Sequence, residues 1–90
     1  MNTLPEHVSA YKKTKLFTSE CCPAAFIKEH STAEGVWGVL HITKGGLVFC
    51  DDETGEDTSL TEGEQAVIAP AMRHHLKLEG YAEFFVEFYR

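Results

Sequence analysis

The sequence predicts an all-β domain, either a sandwich or a small barrel. Short apolar runs rich in β-branched and aromatic residues recur along the chain. Glycine, proline and acidic turns separate these runs at near-regular spacing. No long stripe with the helical period of about 3.6 residues interrupts them. The 90 residues leave room for one domain, residues 1–90, and not for a second.

The elements follow in order. Tyr11 to Phe17 reads as an edge strand whose lysines discourage pairing with another chain. Ala24 to Glu29 fits strand or helix equally on periodicity. Val36 to Thr43 is a strand, Lys44-Gly45-Gly46 a turn, and Leu47 to Cys50 the returning arm of a hairpin. Asp51 to Asp57 is an acidic loop with Gly55 at its tip, and Thr58 to Thr61 is a short strand. Glu62-Gly63-Glu64 turns the chain into a strand from Gln65 to Ala69. Pro70 ends that strand because it lacks a ladder donor. His75 to Glu79 alternates apolar and polar, Gly80 is a turn, and Ala82 to Tyr89 is the final strand. In that strand Ala82, Phe84, Val86 and Phe88 share one face, and Glu83, Phe85, Glu87 and Tyr89 share the other. Aromatics on both faces imply that both are covered, one by the core and one by a second sheet or a partner subunit.

Eight Lys and Arg against 14 Asp and Glu give a net charge of -6, which disfavours nucleic acid and anionic membrane surfaces as partners. No apolar stretch reaches the roughly 20 residues needed to span a bilayer, and the first residues lack the features of a signal peptide. A cytoplasmic protein is the expectation. The three cysteines, Cys21, Cys22 and Cys50, are odd in number and lack C-x-x-C spacing, so they are not a disulfide framework. Reduced thiols are the simple reading, and capture of a soft metalloid by the adjacent pair is the sharper one.

The five histidines carry the strongest chemical hint. His30 ends one apolar-leaning run, His74 and His75 follow another, and Glu87 lies inside a third. Imidazole nitrogen and carboxylate oxygen are common donors to borderline divalent metals. If the three runs are neighbouring strands of one barrel, His30, His74 and Glu87 can converge. Adjacent strand residues point to opposite faces, so only one of His74 and His75 enters the barrel. The bland alternatives are backbone-bonded histidines and a structural Glu87 paired with Arg73 or Arg90. If Leu40 and Ile42 face the core, alternation turns His41 outward, and His7 reads as solvated. Trp37, Phe84, Phe85, Phe88 and Tyr89 read as core or interface residues. No nucleotide-binding glycine pattern and no nucleophile motif is present.

Several segments resemble the cupin-like family that includes YeaR-like proteins and the N-terminal part of tellurite-resistance protein B (TehB) sequences. They are Leu4-Pro5, Tyr11-Lys12-Lys13-Thr14, Pro23-Ala24-Ala25 and His30-Ser31-Thr32-Ala33-Glu34-Gly35-Val36-Trp37-Gly38. Gly46-Leu47, Pro70 with His74, and Phe84-Phe85-Val86-Glu87-Phe88-Tyr89 complete the likeness. The resemblance implies a cupin-like jelly-roll β-barrel (a double-stranded β-helix) holding a divalent metal. His30, His74 and Glu87 fall on the family's polar positions. Spacing from Pro70 in the wider cupin pattern favours His75, whereas the closer family favours His74, which is adopted. The wider pattern also has His-x-His and a later Glu, where this chain has Thr32 and Gly38. Water, a ligand or Glu87 would complete the coordination.

The expected function is a small metal-binding protein associated with tellurite resistance or chemical stress, acting on or sequestering a small molecule or oxyanion. Zinc, iron(II), nickel or manganese would suit the donors. A homodimer through a broad strand face is expected. The alternatives are a non-catalytic binding or sensor module with a structural metal, and a metal-free structural β-dimer.

Overall fold

The computed structural model describes residues 4–21, 30–31 and 33–90, with the backbone alone at 30 and 31. The described residues form strands β1 (Ala10–Lys13), β2 (Phe17–Thr18), β3 (His30–Ser31), β4 (Trp37–Asp51), β5 (Glu56–Thr61), β6 (Gln65–Ile68), β7 (Arg73–Lys77) and β8 (Ala82–Tyr89). There is no helix among them, and every pairing is antiparallel.

Two sheets share β4. Its first half pairs with β6 on one side and β8 on the other, and β8 in turn pairs with β1 and β2. Its second half pairs with β5 and β7, and β7 carries β3. This is a jelly-roll arrangement in which one long strand turns a corner between sheets.

The corner lies at Lys44-Gly45-Gly46, where the sequence predicts a hairpin turn. The expected arms, Val36–Thr43 and Leu47–Cys50, belong to one strand and do not pair with each other. The register shifts between Ile42 and Lys44, and Gly45 takes φ +70°. A Cβ at Gly45 would overlap the Tyr81 carbonyl oxygen, and one at Gly46 would come within 2.9 Å of the Leu60 carbonyl oxygen. Both glycines are thus explained by close backbone approach at a bend.

Other boundaries shift for local reasons. The expected first strand divides into β1 and β2 around Thr14, whose N–H donates to the Val86 carbonyl and whose Oγ1 accepts from the Val86 N–H. β5 begins at Glu56, so the acidic loop is short. Asp51 Oδ1 closes it by accepting from the N–H groups of Glu53 and Thr54. β7 begins at Arg73, two residues before the predicted start, because the turn at Pro70–Met72 is tight, with Ala71 at φ 57°. Segment 24–29, left open between strand and helix, lies outside the described residues.

The core lies between the two sheets. Leu40, Ile42, Leu47 and Phe49 from β4 meet Leu60, Ala66, Ile68, Leu76, Ala82, Phe84 and Val86. β8 alternates as predicted: Ala82, Phe84 and Val86 are buried, and Glu83, Phe85, Glu87 and Tyr89 are half-buried on the other face. Burial of each large apolar side chain contributes about 1.5–3 kcal/mol.

The corner makes a comparison of two glycines diagnostic. Gly55 has φ +78° but open space around its Cβ position. Gly55→Ala is expected to lose about 1 kcal/mol from backbone strain alone, and Gly45→Ala at least about 3 kcal/mol because the bend must also move. Urea unfolding measures both; equal losses would show that the corner does not depend on Gly45.

Candidate functional site

A row of polar residues crosses the second sheet near one end. His30 on β3 opposes His74 on β7. His74 opposes Asp51 on β4, and Asp51 opposes Glu56 on β5. Directly opposed residues lie on one face of a sheet. At His74 that face is the interior one, since His74 is only 2% exposed and its ring stacks on the core residue Phe49 at 5.7 Å. Asp51 and Glu56 line a cavity of about 20 Å³ with Phe49, Thr58 and Met72, a space on the scale of one water.

The turn before β7 sets the chemistry of His74. Its Nδ1–H donates to the Met72 carbonyl at 2.8 Å, which leaves Nε2 as the acceptor nitrogen. Burial pushes the imidazole pKa below its ordinary value, against the smaller upward effects of the Met72 hydrogen bond and of Asp52 and Asp51. A neutral ring with a fixed tautomer has the character of a metal-ligand imidazole.

The structure brings His30 and His74 to adjacent register positions but does not bring Glu87 to them. Glu87 lies on the outer face of β8. There the His41 Nε2–H donates to Glu87 Oε1 at 3.2 Å and the Tyr89 hydroxyl donates to the same oxygen at 3.1 Å. His41 in turn stacks on Phe85 at 4.7 Å. Alternation places Glu87 opposite in sense to Phe84 and Val86, which enter the core. The convergence expected of His30, His74 and Glu87 therefore fails at Glu87. The structural partners expected for it, Arg73 and Arg90, are also engaged elsewhere. Arg73 pairs with Glu53, and the Arg90 guanidinium lies over the Tyr11 ring at 4.2 Å.

Of the two adjacent histidines, His74 enters the interior, as adopted. His75 points outward, and its Nδ1–H donates to Asp52 Oδ2 at 2.8 Å. His41 also faces outward, as alternation predicts. Cys50, opposite His75 and Asp57, is a buried free thiol with a pKa pushed up to about 11, chiefly by burial and then by its hydrogen bond with Asp57. That protonated state argues against a nucleophilic role. Cys21 is exposed and free, and Cys22 lies outside the described residues.

Among the described residues, no three His, Cys, Asp or Glu side chains are close enough to share a metal ion. The His30 side chain is not among them. Neighbouring strands are about 4.8 Å apart, so one ion can join adjacent members of the polar row but not its two ends. Asp51 and Glu56 were missed as site residues because they read as part of an acidic loop. The signal was their position: they flank the turn, so pairing of β4 with β5 places them opposite each other, in line with His74.

Residues 12–86 match the model of a family described as the TehB-like domain. A protein from Escherichia coli strain K12 superposes with a TM-score of 0.89 at 19% identity, covering 100% of this chain and 97% of that one. TehB from Haemophilus influenzae gives a TM-score of 0.81 at 27% identity, covering 93% of this chain and 32% of that one. A cupin-2 domain containing protein from Shewanella frigidimarina gives a TM-score of 0.59 at 14% identity over 94% of this chain and 72% of that one. No curated protein sequence matches significantly. The fold is therefore a cupin-like jelly roll. The chain belongs to the TehB-like domain family, and it spans about a third of the Haemophilus TehB chain.

Burial of His74 has a measurable consequence. As pH falls below the ordinary histidine value of 6.5, the unfolded chain takes up a proton that the folded state resists. Stability should therefore decline as pH drops below 6.5 and become insensitive to this group well above 6.5. Urea titrations of wild type and His74→Gln across this window should show a shallower decline in the variant. Parallel declines would mean that His74 is not buried in its neutral form.

Proposed function

We propose that this domain binds a small molecule or oxyanion through a divalent metal held by His74 and His30, with water or ligand oxygens completing the coordination. The observation that supports it is the cross-strand pairing of the two histidines, one of them buried and locked with Nε2 as its acceptor. Zinc, iron(II), nickel or manganese suits two imidazoles and oxygen donors. The residues fit such an ion in part: His30 and His74 are register partners on β3 and β7, whereas Glu87 is held by His41 and Tyr89 on the outer face. The bound ion would supply Lewis acidity and an open position for an oxyanion. The family link to tellurite resistance motivates an oxyanion as ligand.

We also propose a homodimer through the end of the first sheet's outer face where Trp37 and Tyr89, register partners on β4 and β8, are half-buried.

Elemental analysis of untagged protein is expected to find stoichiometric metal. His74→Gln should weaken metal affinity by at least about tenfold, and Glu87→Gln should leave it unchanged. A metal-free wild type, or full retention in His74→Gln, would overturn the assignment. Sedimentation velocity should show a dimer that Trp37→Glu converts to monomer; a monomeric wild type would reject the interface.

A further inference from the structure

The connection between β1 and β2 forms a second pocket, far in chemistry from the histidine row. Lys13, Thr14, Lys15, Leu16 and Phe85 line a space of about 290 Å³. Its floor is apolar: Phe85 is half-buried, and Leu16 is 50% exposed, one of few large apolar side chains left open among the described residues. Its rim is cationic. Lys12, Lys13 and Lys15 fall within four residues of a chain that has eight Lys and Arg in total and a net charge of -6. The Lys13 ammonium lies 5.9 Å from the Phe85 ring centre, and the Lys15 ammonium lies 5.8 Å from that of Phe17. The carboxylates of the ion pairs between described residues are taken by His41, Arg73, His75 and Lys77, and none by Lys13 or Lys15.

The pocket is also held in shape. Thr14 is anchored to β8 by its N–H to the Val86 carbonyl at 2.8 Å and by its hydroxyl, which accepts from the Val86 N–H at 3.0 Å. The same hydroxyl donates to the Lys15 carbonyl at 2.9 Å. These bonds fix the backbone on either side of which the lysines stand, so little ordering is left for a ligand to impose. Phe85 is braced by the stacked His41 ring. Glu87 is the register partner of Lys13, and its Oε1 already accepts from His41 and Tyr89.

We propose that this pocket binds a small organic anion, a carboxylate carried on an apolar or aromatic body. The body would lie on Phe85 and Leu16, and the carboxylate would meet Lys13 and Lys15. The apolar floor argues against a bare inorganic ion, and the lysine rim argues against a neutral ligand.

Benzoate is a suitable probe, followed at low salt through the backbone amide signals of residues 13–16 and 85. Saturable shifts confined to these signals are expected. Affinity should drop about tenfold in the double variant Lys13→Gln/Lys15→Gln and by a comparable factor for benzamide, which lacks the charge. Lys12→Gln, whose register partner is Phe88, should bind as wild type. Benzoate shifts that do not saturate, or that map to His74, would overturn the proposal. So would undiminished binding by the double variant, or inorganic phosphate binding as tightly as benzoate.

Discussion

Strand β4 is hydrogen-bonded to β5, β6, β7 and β8, and it belongs to both sheets. The bend at Gly45 makes this possible. A side chain there would collide with the backbone of Tyr81, and φ +70° disfavours any residue with a Cβ. Because the strand is continuous through the bend, the register of one sheet constrains the other. Leu40 and Ile42 enter the core before the corner, and Leu47 and Phe49 after it. The placement of the His41 and Asp51 clusters follows from this shared strand.

Two clusters illustrate the effect. Before the corner, His41 projects outward and meets Glu87 and Tyr89 in a setting about a quarter exposed. An ion pair so accessible to solvent is worth only about 0–1 kcal/mol. It organises the outer face more than it stabilises the fold. After the corner, Asp51 projects inward beside His74, where burial holds the imidazole neutral. The same kinds of side chain thus acquire different chemistry on opposite faces. Water satisfies and screens the outer group, whereas the inner one must be bonded or coordinated.

The turn at Pro70–Met72 couples backbone strain to the interior site. Ala71 adopts φ 57°, a region that costs an L-residue about 1–2 kcal/mol. The chain then delivers the Met72 carbonyl to His74 Nδ1. A relaxed turn would release the hydrogen bond that fixes the tautomer. Strain held by surrounding packing in this way is common where a side chain must be oriented for binding. Beside β8, Thr14 performs a similar service for Lys13 and Lys15 through its bonds to Val86.

Much of the fold was legible in sequence because strand alternation is local. The period of two is a property of the extended backbone, so the two faces of β8, the opposed senses of His41 and its neighbours Leu40 and Ile42, and the rule that only one of His74 and His75 enters the interior could be read from the chain; which histidine enters came from the family resemblance. The TehB-like segments added the jelly roll. Pairing is non-local, and there the reading ran out. Lys44-Gly45-Gly46 looks the same whether glycine makes a hairpin or a corner, and only the approach of Tyr81 and Leu60 distinguishes them. Glu87 has the right chemistry for a ligand, but which face of β8 meets the core depends on Phe84 and Val86 finding Leu40 and Ile42. Asp51 and Glu56 joined the histidine row only through the registers of β4 with β5 and β7. The sequence by itself determined which side chains share a strand face; the tertiary structure decided which face is inside, because that choice depends on burying apolar surface between segments distant along the chain.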